Sequence, residues 1–212
     1  MKKIFIATLS LNSNLEPMAI NPKNIELSYS LEKYCNPIVP VMESNLEDGE
    51  DAKLIIIRQG ASNESDIKNM GLLKEELKAV GLDKVPIEEI ILEEAQDKSV
   101  LRGLFAELIK HFENDAMYYA DFTYGTKPYP IILNTALSYV TKMKTNTEVC
   151  GLFYREVLWG KNGESDKTFF YDVSVLLSIA NIIDFLGATE SENRDQMLQS
   201  LLNWKDGEDP CC

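Results

Sequence analysis

The sequence predicts an α/β domain: a mainly parallel sheet with helices on both faces and an antiparallel hairpin at its C-terminal edge. Three observations carry this. Runs such as Lys53-Leu-Ile-Ile-Ile-Arg58 are continuous and β-branched, as in strands covered on both sides. Segments with apolar residues at helical spacing alternate with such runs along the chain, which implies right-handed crossovers. The turn-forming stretch Lys161-Asn-Gly-Glu-Ser-Asp166 joins the last two strand-like runs.

The first strand is Lys3–Leu9. It lies in MKKIFIATLSL, where lysines precede an apolar run as in a signal peptide, but the run is short and alternating and no small-residue cleavage site follows. Leu11–Pro22 is a polar, Asn-rich loop, followed by a predicted helix over Ile25–Tyr34 and an acidic connection over Glu43–Asp51. Gly60 ends the strand Lys53–Arg58. Ser65–Val80 is a helix with Ile67, Met70, Leu73 and Leu77 on one face and Gly81 as its C-cap. Val85–Leu92 is a strand, and Ser99–Phe112 a helix whose face holds Leu101, Leu104, Phe105, Leu108 and Ile109. Met117–Ala120 is a short strand, Pro130–Val140 a helix, Glu148–Tyr154 and Lys167–Tyr171 strands, and Val173–Leu186 an apolar helix. Ser191–Trp204 is a last helix before an acidic tail. Residues 1–187 thus form a Rossmann-like domain, and 188–212 a C-terminal helix and tail.

The 212 residues suffice for one large domain, and an apolar fraction of 45% with 26% charged residues is ordinary for a globular chain. A net charge of −13 without a Lys/Arg stripe argues against long DNA or RNA as ligand. No run is long enough to span a bilayer. Cys35, Cys150, Cys211 and Cys212 have neither metal spacing nor a secreted disulfide pattern, which fits a reducing, cytoplasmic compartment. His111 ends an amphipathic helix and reads as structural, the pairs Glu88-Glu89 and Glu93-Glu94 as solvated charge, and Tyr118-Tyr119 and Phe169-Phe170-Tyr171 mostly as strand core. No metal or cofactor is assigned. Neither a dinucleotide glycine triplet nor a Walker lysine motif is present.

In open parallel sheets ligands bind beyond the carboxyl ends of the strands, near the point where strand order reverses. Asp121-Phe-Thr-Tyr-Gly-Thr-Lys127 occupies such a position, between a strand and a helix that starts near Pro128–Pro130. Gly125 allows close backbone approach, Thr123 and Thr126 supply hydroxyls, Lys127 a charge, and the helix start N–H donors, a set suited to a phosphodiester. An ordinary strand-to-helix turn, with Asp121 or Thr126 as cap, is the alternative.

Asp121-Phe-Thr-Tyr-Gly-Thr-Lys-Pro-Tyr-Pro130 resembles the Asp-x-Thr-His-Gly segment of the CARF proteins, the CRISPR-associated Rossmann-fold sensors. The opening MKKIFI strand, the apolar strand before Gln59-Gly60, and Tyr171-Asp-Val-Ser-Val-Leu-Leu177, similar to the Asp-Leu-Thr-Pro-Leu-Leu element of these domains, occur in the same order. Tyr124 stands where the family commonly has His, and Thr126-Lys127 where Phe-Arg is frequent. The resemblance implies a homodimer whose paired loops bind a cyclic oligoadenylate, the messenger of type III CRISPR systems, with the four-adenylate ring favoured over the six-adenylate ring. Each half-site would be lined by Thr8, Leu9, Ser10 and Asn12, by Gln59, Gly60, Ala61, Ser62 and Asn63, and by Asp121, Thr123, Tyr124, Gly125, Thr126 and Lys127, with Tyr124 the aromatic placed to stack a base. The alternative implied is a metal-independent ring nuclease in the same pocket, with Lys127, Ser10 and Thr123 as catalytic candidates. The stripe Val175, Leu176, Ile179, Ile182, Ile183 and Leu186 would serve core packing or a dimer seam. A fused or separate effector would receive the signal; the Arg-x-x-x-x-His pattern of HEPN ribonucleases does not occur in the sequence.

Overall fold

The computed structural model describes residues 1–60, 63–92, 97–159, 165–189 and 193–202. Six strands form one sheet: β1 (Lys2–Thr8), β4 (Ala52–Gln59), β5 (Ile87–Leu92), β6 (Ala116–Asp121), β7 (Thr147–Trp159) and β8 (Ser165–Asp172). Their order is β5-β4-β1-β6-β7-β8, parallel except for the antiparallel pair β7–β8. Two-residue strands β2 (Met18–Ala19) and β3 (Lys33–Tyr34) pair separately. The helices α1 (Ile38–Asn45), α2 (Glu64–Ala79), α3 (Lys98–Lys110) and α4 (Pro128–Met143) connect the parallel strands. The expected Rossmann-like α/β architecture and its edge hairpin are therefore present; the Lys161–Glu164 turn lies outside the described residues.

Alternation along the strands divides the core into two layers. Phe5, Ala7, Leu54, Ile56, Tyr119 and Phe153 pack with Ile38, Val39, Val41 and Met42 of α1 and Met70, Leu73 and Leu77 of α2. The intervening residues Ile4, Ile6, Ile55, Ile57, Tyr118 and Ala120 are equally buried and face the other side. That side is served by α3 and α4, which pack on each other and bury Leu104, Leu108, Leu133, Leu137 and Val140. Each such aliphatic side chain removed from water contributes about 1.5–3 kcal/mol. Two-sided burial is why these strands read as unbroken apolar runs.

One predicted element is displaced. Residues 25–32 form no helix; the helix lies at Ile38–Asn45, running into the stretch read as an acidic connection. Pro37 is its N-cap and Pro40 sits in its first turn, where the missing N–H groups have no intrahelical acceptor to lose. The outer edge of β8 is covered by Asn21–Asn24. Phe170 N–H donates to Asn21 O (2.9 Å), Lys23 N–H to Phe170 O (3.0 Å), and Asn24 exchanges bonds with the backbone of Asp172.

Residues Val175 onward form a separate compact unit containing α5 (Val175–Ala188) and α6 (Arg194–Leu202), which contact each other. Of the apolar stripe on α5, Leu186 is buried with Leu177, whereas Val175, Leu176 and Ile183, together with Phe185, are exposed. No helix among the described residues is long and apolar enough to cross a membrane. The expected tail, including Trp204, Cys211 and Cys212, lies outside the described residues.

Candidate functional site

Strand order reverses around β1. The chain leaves β1 toward β4 and β5, crosses back to β6 on the other side, and continues outward to β7. The exits of β1 and β6 therefore diverge while their ends stay adjacent, with Ala7 paired to Asp121. This is the crevice in which such sheets place ligands.

The loop after β6 is held from within. Asp121 is 1% exposed, and its Oδ1 accepts from Thr123 N–H (3.0 Å) and Thr123 Oγ1 (2.5 Å). Burial pushes its carboxyl up to about 6, against the pull of the Thr123 bonds and the Arg155 charge. Thr123 Oγ1 in turn accepts the N–H of Arg155 in β7 (2.9 Å), and Phe122 N–H donates to Phe153 O (2.7 Å). Tyr124 points its hydroxyl inward, donating to Cys35 O (2.7 Å) and accepting from Arg155 Nη2, so burial raises its pKa.

Gly125 has φ +99°, and a β-carbon there would meet Thr8 Cγ2 at 2.9 Å and Tyr129 Cδ2 at 3.1 Å. Only glycine lets the loop lie against the end of β1 in this conformation. Beyond it, the N–H groups of Gly125, Thr126 and Lys127 find no acceptor among the described residues, and Lys127 is exposed. The helix start contributes less than its sequence implies: Pro128 and Pro130 have no N–H, and that of Tyr129 is taken by Thr126 O (2.9 Å). The anion-ready donors are thus the loop's own peptides, in the manner of a nest.

Three residues of this turn and its immediate neighbours, Thr8, Thr126 and Tyr129, carry buried hydroxyls without a partner among the described residues, and the Thr8 methyl and Tyr129 ring are the atoms that crowd Gly125. Thr8 and Gln59 project to the same side of the sheet, since Thr8 is in register with Ile57, two residues before Gln59. Gln59 Oε1 is also buried and has no partner among the described residues. Native interiors leave few polar atoms in this condition, and such groups mark places awaiting water or ligand.

The remaining expected residues divide clearly. Leu9 belongs to the core, and Ser10 is buried with Oγ accepting from Asn12 N–H (3.2 Å). Asn12 is exposed, but its carbonyl and that of Ser10 are tied to Asn69 Nδ2 of α2. Gly60 (φ +68°) turns the chain after β4, and Asn63 caps α2 by accepting from Asp66 N–H (2.8 Å). Ala61 and Ser62 lie outside the described residues. Of the catalytic candidates, Ser10 and Thr123 are committed to internal bonds, which leaves Lys127 presented to solvent.

Sequence reasoning passed over Arg155, Glu76 and Asn69. Arg155 is 2% exposed and donates to Tyr34 O (2.7 Å), Cys35 O (3.0 Å) and Tyr124 OH, while Glu76 accepts from the N–H groups of Cys35 and Asn36 and from Asn36 Nδ2 (2.8 Å). Burial raises the Glu76 carboxyl pKa against these bonds. One signal was available: Arg155 shares a strand face with core residue Phe153, so period-2 alternation aims a charge inward. At the opposite, amino-terminal edge, Lys53 reaches Glu88 (3.0 Å), Glu113 (2.8 Å) and His111 O (2.9 Å), while His111 Nδ1 lies 2.7 Å from Glu88; Glu89 pairs with Arg58, which stands near the carboxyl end of β4. Glu93 and Glu94 lie outside the described residues.

No family model matches the chain, and no curated protein matches it in sequence.

Proposed function

We propose that this chain is a homodimeric sensor of the CARF type that binds a cyclic oligoadenylate in type III CRISPR defence, with the tetra-adenylate ring as ligand. The observation that carries the reading is the row of unpaired N–H groups at Gly125, Thr126 and Lys127, set at the sheet's switch point beside the unpartnered hydroxyls of Thr8 and Thr126. Peptide N–H groups and hydroxyls hold a phosphate without a basic surface, which reconciles an anionic ligand with a net charge of −13. A ring of even repeat can place equivalent phosphates in both halves of an isologous dimer, so each contact is used twice. Exposed apolar residues on α5, among them Val175, Leu176 and Phe185, suit a face that a second copy covers.

Calorimetry with the tetra- and hexa-adenylate rings tests the reading, alongside sedimentation of the free protein. One ring per dimer is the expected stoichiometry; a monomer that gives no saturable heat with either ring defeats it. The exposed Lys127, next to an unpartnered Thr126 hydroxyl, is the feature that favours ring cleavage as the second reading. Chromatography of the ring after incubation in chelator separates the two: linear products ending in a cyclic phosphate indicate a nuclease, an intact ring a sensor.

A further inference from the structure

We infer that Arg155 and Tyr124 are positioning residues for the ligand loop, an inference that rests on the proposed ring-binding role of Gly125–Lys127. Arg155 touches that loop twice from below: its backbone N–H donates to Thr123 Oγ1 (2.9 Å) and its Nη2 to Tyr124 OH. The guanidinium carbon also stands 5.7 Å from the centre of the Tyr124 ring, within cation–π range. The same guanidinium forks onto the carbonyls of Tyr34 and Cys35, and Tyr124 OH donates to that Cys35 carbonyl at 2.7 Å. The Cys35–Asn36 peptide is gripped on its other side by the Glu76 carboxylate from α2.

A buried cation and a half-buried carboxylate thus clamp one segment from opposite sides, and Tyr124 is the member that reaches into the loop. With the Tyr124 hydroxyl fixed inward, the peptides that follow it keep N–H groups that meet no acceptor among the described residues. Such preorganisation lowers the ordering cost of binding, so loosening the strut weakens the ligand without removing a contact to it. Because Glu76 lies in the last turn of α2, the strut also ties the loop after β6 to that helix.

Tyr124→Phe is the decisive variant, because it deletes one hydroxyl while Cys35 O keeps its bond from Arg155. Amide hydrogen exchange at Thr123 and Tyr129, whose bonded N–H groups bracket Gly125–Lys127, and calorimetry with cyclic tetra-adenylate are measured together with thermal unfolding. The expected result is exchange at these amides faster by about tenfold and affinity weaker by about tenfold to a hundredfold, the size of one charge-assisted hydrogen bond, with a melting temperature close to the parent's. Arg155→Lys, which keeps the charge and loses the fork, should fall between the parent and Arg155→Met in both readouts. Unchanged exchange in Tyr124→Phe overturns the inference, and so does faster exchange with unchanged affinity for a ring the parent binds. If the parent binds no ring, the functional reading fails, and the exchange measurement alone decides whether the strut sets the loop.

Discussion

Gly125 and Thr8, the last residue of β1, are more than a hundred residues apart in sequence, yet a β-carbon on Gly125 would stand 2.9 Å from the Thr8 methyl. The turn after β6 is therefore fitted to the end of β1 at a distance that no other residue type tolerates. With φ at +99°, Gly125→Ala carries both backbone strain and a steric clash, and it should lower stability by about 2–3 kcal/mol. Combining it with Thr8→Ala, which removes the nearest methyl, should recover part of the loss. Denaturant unfolding of the two single variants and the double variant measures the coupling.

Thr8→Val should move stability and binding in opposite directions. Its hydroxyl is buried without a partner, and valine keeps the methyl that meets Gly125, so the free protein should gain about 1 kcal/mol. Cyclic tetra-adenylate affinity should fall by roughly fivefold or more on the loss of one donor to phosphate. Unfolding and calorimetry on the same preparation check both signs.

Asp121 gives the fold a pH dependence of known sign. Its folded pKa, about 6, lies above the ordinary 3.8, so between these values the native state holds the proton and the unfolded state has lost it. Stability therefore falls as pH rises through this window and levels above it, by an amount on the order of 2–3 kcal/mol. Asp121→Asn, which can still accept both Thr123 bonds, should erase that slope. The variant's advantage over the parent should grow from about pH 4 to about pH 7 in urea unfolding.

Lys53→Met should affect the fold and spare the ligand. Lys53 is 4% exposed and satisfies Glu88, Glu113 and the His111 carbonyl at the amino-terminal edge of the sheet, away from the β1 and β6 exits. A loss of about 1–3 kcal/mol is expected with unchanged ring affinity. A parallel drop in affinity would place this edge in communication with the loops.

Lys127→Ala tests the ligand reading from the opposite direction. The side chain is exposed and caps nothing in α4, so stability should stay within about 0.5 kcal/mol of the parent. Affinity for the ring should fall about tenfold at low salt, and by less as added salt screens the lost charge.

The architecture was legible because it rests on local signals. Strands buried on both faces announce themselves as Ile-rich runs, and α2 and α3 as periodic apolar faces, the first followed by Gly81. Helix α1 escaped because Pro37 and Pro40 resemble breakers, although proline is tolerated in a first turn. The loop's position was legible from Asp121 to Lys127, but its working parts were not. Which N–H groups stay free depends on Pro128, Pro130 and the Thr126–Tyr129 bond acting together, and the inward commitment of Tyr124 depends on Arg155 and Cys35, 31 and 89 residues away in sequence. Contacts of that range leave no periodic trace.

The central place of β1 has a consequence for biosynthesis. Lys2–Ala7 pairs on one side with Ala116–Asp121, so β1 leaves the ribosome long before its second neighbour exists. Until then Ile4, Phe5 and Ile6 border a bare edge, a template for pairing with other nascent chains. Parallel pairings of such sequence separation form slowly. A message that pauses translation between β4 and β6 should therefore yield more aggregate than one that pauses after β6.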